Sequence, residues 1–113
     1  MSHEKYEEYQ ECIAACHTCA VACNHCAACC LQEPDVKNMV RCIGLDMDCA
    51  QVCQLAAALM SGGSDFAGPV CALCADVCDA CAEECARHDA DHCQQCAEAC
   101  RRCAQACRQM AAA

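Results

Sequence analysis

Apolar residues recur along this chain at alternating steps of three and four, and the residue that carries the beat is cysteine. The first stretch places Cys12, Cys16, Cys19, Cys23, Cys26 and Cys30 in that rhythm, with Cys29 beside the last of them. Cys71, Cys74, Cys78, Cys81 and Cys85 repeat it, and Cys93, Cys96, Cys100, Cys103 and Cys107 repeat it again. A sparser stretch sets Met39, Cys42, Asp46, Cys49, Cys53, Ala56 and Met60 on the same stripe. Alternating steps of three and four average about 3.5 residues, the period of one helix face turned toward partners. On a strand of period two the same residues would scatter to both faces. Alanine, glutamate, glutamine and arginine fill the intervals, as helices prefer.

Three breakers separate the stretches: Glu33-Pro34-Asp35, Ser61-Gly62-Gly63-Ser64 and the turn from His88 to Asp91. Helices are therefore predicted over about 4–32, 36–60, 66–87 and 91–110, in one domain covering 1–113. Pro69 is tolerable in the first turn of the third helix, and Asp89 or Asp91 is a candidate N-cap for the fourth. Short connections between four helices make an all-α, antiparallel up-down-up-down bundle. The four stripes then face one axis, giving a core lined by cysteine.

Composition sharpens this picture. The chain has 113 residues and 20 cysteines, with no tryptophan, one phenylalanine and two tyrosines, so its interior must be built mainly from cysteine and alanine. The thiols either serve as small hydrophobes or hold ions that complete the core. Alanine would fill space without the risk of oxidation, which favours the ligand reading. A formal charge of −9 leaves no basic face to neutralise phosphates, and so excludes a nucleic-acid partner. No hydrolytic triad, phosphate loop or nicotinamide fingerprint is present, so no enzyme is expected. The opening residues lack a basic region followed by an apolar run, and neither a signal peptide nor a membrane-spanning segment is read. The expected location is the cytoplasm, with no membrane partner. In that reducing compartment the cysteines are thiols or metal ligands rather than disulfides.

Residues four apart on a helix stack with Cβ atoms about 5–6 Å apart. Eight such pairs occur: Cys12/Cys16, Cys19/Cys23, Cys26/Cys30, Cys49/Cys53, Cys74/Cys78, Cys81/Cys85, Cys96/Cys100 and Cys103/Cys107. Cys29, Cys42, Cys71 and Cys93 stand outside this pairing. With metal–sulfur bonds of about 2.3 Å, a two-coordinate ion bridges one pair without help from another helix. Thiolates select Cu(I), with zinc and iron–sulfur clusters as competitors. When each sulfur bridges two Cu(I) ions and each ion takes two sulfurs, charges balance and a long neutral chain fits an apolar tube. A four-cysteine zinc site keeps a double negative charge. Cys23-x-x-Cys26-x-x-Cys29 matches the iron–sulfur ferredoxin spacing, yet it lies within a continuous helical repeat rather than a loop. Many Cu(I) ions per chain is therefore the preferred reading. An iron–sulfur electron carrier and a general zinc or heavy-metal sink are the alternatives. Unlike metallothionein, this chain is expected to be helical without metal.

In its Cys-x-x-x-Cys ladders on helices one, three and four, its sparser second helix and its His88-Asp-Ala-Asp-His92 turn, the chain resembles the copper storage proteins. The resemblance extends over nearly the whole chain and is closest to the cytosolic branch of that family. It implies a four-helix bundle whose inward cysteines hold many Cu(I) ions, a homotetramer, and reversible storage rather than catalysis.

Up-down topology gathers Cys29, Cys30, Met39, His88, His92 and Cys93 at one end, which is read as the metal entrance. His88 and His92 are either entrance ligands, as relatives suggest, or solvated turn residues. Met39 is either a plug or a ligand. Asp46 lies on the inward stripe, an unusual place for a carboxylate. It is either partly hydrated or hydrogen-bonded, or a ligand or proton acceptor for nearby copper. Met60 and Met110 are expected to close the opposite end, while His17 and His25 lie one residue off the stripe, at its boundary or on the surface. The second helix carries further apolar rows, Val36, Val40, Ile43 and Met47, and Leu45, Val52 and Leu59. A helix apolar beyond its core face has a second partner, so that surface is expected to meet another copy of the chain.

Overall fold

The computed structural model describes residues 1–112. It contains helix α1 (His3–Cys30), a 3-10 turn (Val36–Met39), α2 (Val40–Ser61), α3 (Ala67–Ala86) and α4 (Asp91–Ala112). Each helix packs on its chain neighbour, and α1 also closes on α4 to complete a ring of four. The result is a slender antiparallel bundle measuring 50 × 19 × 19 Å over its Cα atoms.

Local chemistry sets the ends. The Ser2 hydroxyl accepts from the Lys5 N–H at 3.1 Å and caps α1. After Pro34 the chain re-enters helix through the tight 3-10 turn, with the Asn38 N–H on the Asp35 carbonyl at 2.8 Å. Regular α-helix therefore begins at Val40 rather than at 36. Between α2 and α3, Gly63 takes a φ of 66°, a left-handed conformation, and the Met1 side chain packs where a Cβ would project. The cap position of α4 falls on Ala90, not on Asp89 or Asp91. The Ala90 carbonyl accepts from the Cys93 and Gln94 N–H groups, at 3.0 and 3.1 Å. Asp91 instead sits in the first turn, where its charge complements the helix dipole. Gln94 Nε2 reaches back to the carbonyls of Ala86 and His88, at 3.2 and 2.6 Å, tying the α3–α4 turn to the helix it starts.

Cysteine lines the axis and alanine lines the seams between helices. Ala20, Ala50, Ala75, Ala82, Ala97 and Ala104 each follow a core cysteine and are buried with it. Such small side chains let the backbones approach closely, which keeps the tube narrow enough for sulfurs of opposite helices to meet. Met60 is wholly buried at the far end, contributing roughly 1.5–3 kcal/mol by its removal from water. Met110 and Tyr9 pack there half-buried.

Two helices, His3–Cys30 and Val36–Ser61, are long and apolar enough to cross a membrane by length and composition, with mean hydropathies of 1.3 and 1.2. The sequence reading found no such segment. Much of the apolarity comes from cysteine and alanine, of which the cysteines other than Cys29 line the core, while 33% and 44% of the two apolar stretches are buried inside the bundle. The outer row of α2 stays uncovered, with Val40 66%, Met47 54% and Leu55 49% exposed. Ile43, Leu45 and Leu59 are half-buried against the core, and Val52 is buried.

Candidate metal centre

Every cysteine except Cys29 is buried, and all are free thiols. Sulfur–sulfur contacts recur along the axis of the bundle. Seven of the eight predicted Cys-x-x-x-Cys pairs bring Sγ atoms to between 3.8 and 4.0 Å of each other. Cys12 and Cys16 meet through Cys107, at 3.6 and 3.7 Å. Contacts between helices are as short. Cys49 lies 3.4 Å from Cys78, Cys42 lies 3.4 Å from Cys85, and Cys53 lies 3.7 Å from Cys74. Sulfurs also meet across the diagonals, Cys19 with Cys78 at 4.0 Å and Cys53 with Cys103 at 3.7 Å.

Three sulfurs around one ion at about 2.3 Å stand about 4.0 Å apart, so these separations need little adjustment to hold metal. Sets of four converging sulfurs recur along the axis, among them Cys16/Cys53/Cys74/Cys103, Cys19/Cys53/Cys78/Cys103 and Cys19/Cys23/Cys49/Cys100. The sets overlap, because Cys19, Cys53 and Cys103 each belong to two of those three. Overlapping sets allow neighbouring sites to share ligands, unlike closed, private sites. The same geometry disposes of the ferredoxin match, since Cys23 and Cys26 face the core while Cys29 does not.

Asp46 interrupts the sulfur lining. Its Oδ1 accepts from the thiols of Cys81, Cys96 and Cys85, at 3.2, 3.3 and 3.5 Å, and Cys42 Sγ lies 3.9 Å from Oδ2. The residue is fully buried. Burial pushes its carboxyl up to about 10, and the neighbouring charges of Cys96, Cys81 and Cys42 add to the shift. At neutral pH it is thus a neutral, hydrogen-bonded acid. Burial likewise raises Cys30, and raises Cys93 to about 11. Hydrogen bonds with Cys26 and then Cys85 act in the opposite direction on Cys42 and lower it well below the ordinary thiol range.

At the His88 end, Cys26, Cys30, Cys42 and Cys93 converge as the last core group. His92 Nδ1 lies 3.5 Å from Cys93 Sγ, while its Nε2 donates to Glu33 Oε1 at 2.9 Å. His88 Nε2 donates to Glu84 Oε2 at 2.8 Å. Glu84 is itself nearly buried and is approached by Arg41 Nε at 3.5 Å. A carboxylate behind each imidazole fixes the ring and its tautomer, the arrangement that orients histidines toward a metal. Met39 is buried in the 3-10 turn that closes this end. Cys29 does not join the inward lining, because it falls one residue short of the stripe position held by Cys30; it is half-buried on the flank of α1. His25, read as a boundary or surface residue, is exposed and sets its Nε2 3.6 Å from Cys29 Sγ.

The Asp46 carboxyl generates a pH prediction. Its folded value of about 10 stands above the ordinary 3.8, so the stability it lends is complete below about pH 4 and is lost as pH rises toward 10. Denaturant unfolding of the reduced, metal-free protein is expected to show stability falling from about pH 5.5 to about pH 8.5, and falling less in Asp46→Asn. Equal slopes in the two proteins would remove the buried-acid assignment.

Comparison with known proteins agrees with this geometry. The family model described as copper storage protein matches residues 5–112. An uncharacterised cysteine-rich protein of Bacillus subtilis (strain 168), YhjQ, is 52% identical over 71 residues, spanning 62% of this chain and 66% of that protein. The structure of the Cu(I)-bound copper storage protein BsCsp3 superposes with a TM-score of 0.89 at 50% identity, covering 92% of this chain and 98% of that one. A cytosolic copper storage protein from Streptomyces lividans, with five coppers, gives 0.92 at 46% identity, covering 99% and 98%. A cysteine-lined four-helix bundle, matched along almost all of its length by one family, places this chain among the copper storage proteins.

Proposed function

We propose that this protein stores and buffers Cu(I) in the cytoplasm, holding many ions per chain on the thiolates of its core and releasing them again without catalysing a reaction. The observation that carries this reading is the sharing of sulfurs: overlapping four-cysteine sets run along the axis, so every ion added uses ligands already serving another. Shared monovalent ions keep the tube near neutral as it fills. The ligands are Cys12, Cys16, Cys19, Cys23, Cys26, Cys30, Cys42, Cys49, Cys53, Cys71, Cys74, Cys78, Cys81, Cys85, Cys93, Cys96, Cys100, Cys103 and Cys107. His92 and His88, each backed by a carboxylate, receive ions at the mouth, and Met39 lines the passage to Cys42. Asp46 accepts hydrogen bonds from thiols that later become thiolates. The cytoplasmic assignment draws on the Streptomyces lividans relative, which is described as cytosolic.

Anaerobic titration with Cu(I) against a strong competing chelator tests this. Occupancy is expected to approach the number of core cysteines before the chelator wins. Competition that already succeeds after about two or three ions would refute storage.

The uncovered row Val40, Met47 and Leu55 on α2 is the face through which copies associate, toward the homotetramer that the family resemblance implies. Sedimentation is expected to give an oligomer for the native chain and a smaller species for Met47→Glu. A native chain that sediments as a monomer would remove this assignment.

A further inference from the structure

We infer that Cys29 and His25 form a separate Cu(I) acceptor site on the outside of α1, through which ions enter before reaching the core. This inference rests on the storage reading and deepens it. Cys29 is the one cysteine outside the core. Its Sγ lies 3.6 Å from Nε2 of His25, one turn earlier on the same flank. Both line a shallow surface cavity whose wall also includes His92 and Glu33. A thiolate and an imidazole are both ligands suited to copper. Bonds of about 2.3 Å to sulfur and about 2.0 Å to nitrogen span about 4.3 Å in a linear site, so the pair needs only a small side-chain rotation or a bent geometry.

The location gives the pair its role. His92 borders the same cavity, and its Nδ1 lies 3.5 Å from Cys93 Sγ. Cys93 in turn lies 3.8 Å from Cys26 and 3.9 Å from Cys30. Ligands thus follow one another from the outer cavity to the innermost group at the mouth. The core thiols are buried and cannot meet a donor's copper directly, whereas Cys29 can. Transfer is ligand exchange with no change of oxidation state. Cys29 gives up its thiol proton as its sulfur displaces a donor thiolate from Cu(I), and the donor takes that proton. When the ion passes to His92 and then Cys93, Cys93 releases its proton and Cys29 regains one. The donor class this requires is a Cu(I)–thiolate complex.

The plain alternative is an S–H···N hydrogen bond with no metal role, and it makes a different prediction. Anaerobic stopped-flow uptake from Cu(I)–glutathione would be compared for the native protein, Cys29→Ala and His25→Ala. Both variants are expected to fill about tenfold more slowly, the scale of losing one of two ligands. Their final loading falls by no more than the one outer ion. In parallel, iodoacetamide and peptide mass spectrometry would follow Cys29 in the loaded protein. An added equivalent of Cu(I) is expected to protect Cys29 in the native chain and not in His25→Ala. Native uptake rates in both variants, or alkylation of Cys29 that ignores copper or His25, would overturn the proposal. Failure of the storage reading looks different: the native protein itself would load only a few ions.

Discussion

The structure turns on the cost of placing negative charge in a narrow apolar tube. Neighbouring sulfurs come within 3.4 to 4.0 Å of each other at many points along it, and the arginines lie exposed on the outside. Two thiolates at about 4 Å repel by about 4 kcal/mol even at an effective dielectric constant of about 20. The empty core therefore keeps most of its protons, and filling it must exchange each proton for another single positive charge. A divalent ion in a private four-sulfur site leaves two negative charges behind. Cu(I), shared between neighbouring thiolates, leaves none.

That constraint explains the rest of the design. Steps of three and four keep each stripe on one helix face, and alanine in the seams brings the four stripes into mutual reach. Asp46 fits only because it too is neutral when buried, accepting thiol hydrogen bonds in place of a sulfur layer. The two ends are unlike. One is closed by Met60 with Met110 and Tyr9 packed nearby, and the other carries carboxylate-backed imidazoles and a cysteine–histidine pair on its outer wall.

Most of this was legible in the chain itself, because a period set by cysteine reports the core without ambiguity. The bundle, the inward position of Asp46 and the gathering of Cys30, His88, His92 and Cys93 at one end all follow from that period and from short turns. What escaped depends on angles rather than counts. Chain position gathers Cys29 at the entrance end, but its register, three residues after Cys26 and one before Cys30, rotates it onto the flank. His25 lies one residue off the stripe, which places it on the surface but does not reveal that Cys29, one turn later, comes within 3.6 Å of its ring. The start of α2 moved to Val40 because the tight turn after Pro34 is a feature of backbone hydrogen bonding that side-chain periodicity does not carry. The stretches His3–Cys30 and Val36–Ser61 are long and apolar enough to span a bilayer because cysteine and alanine, the residues of the core stripe and seams, themselves raise mean hydropathy.

The central claim, that single positive charges replace thiol protons, is tested most directly by counting the protons released as anaerobic Cu(I) is added in weakly buffered solution at neutral pH. The account predicts close to one proton per copper throughout loading. Release near zero, with sulfurs binding as neutral thiols, would contradict it, as would release near two for each ion.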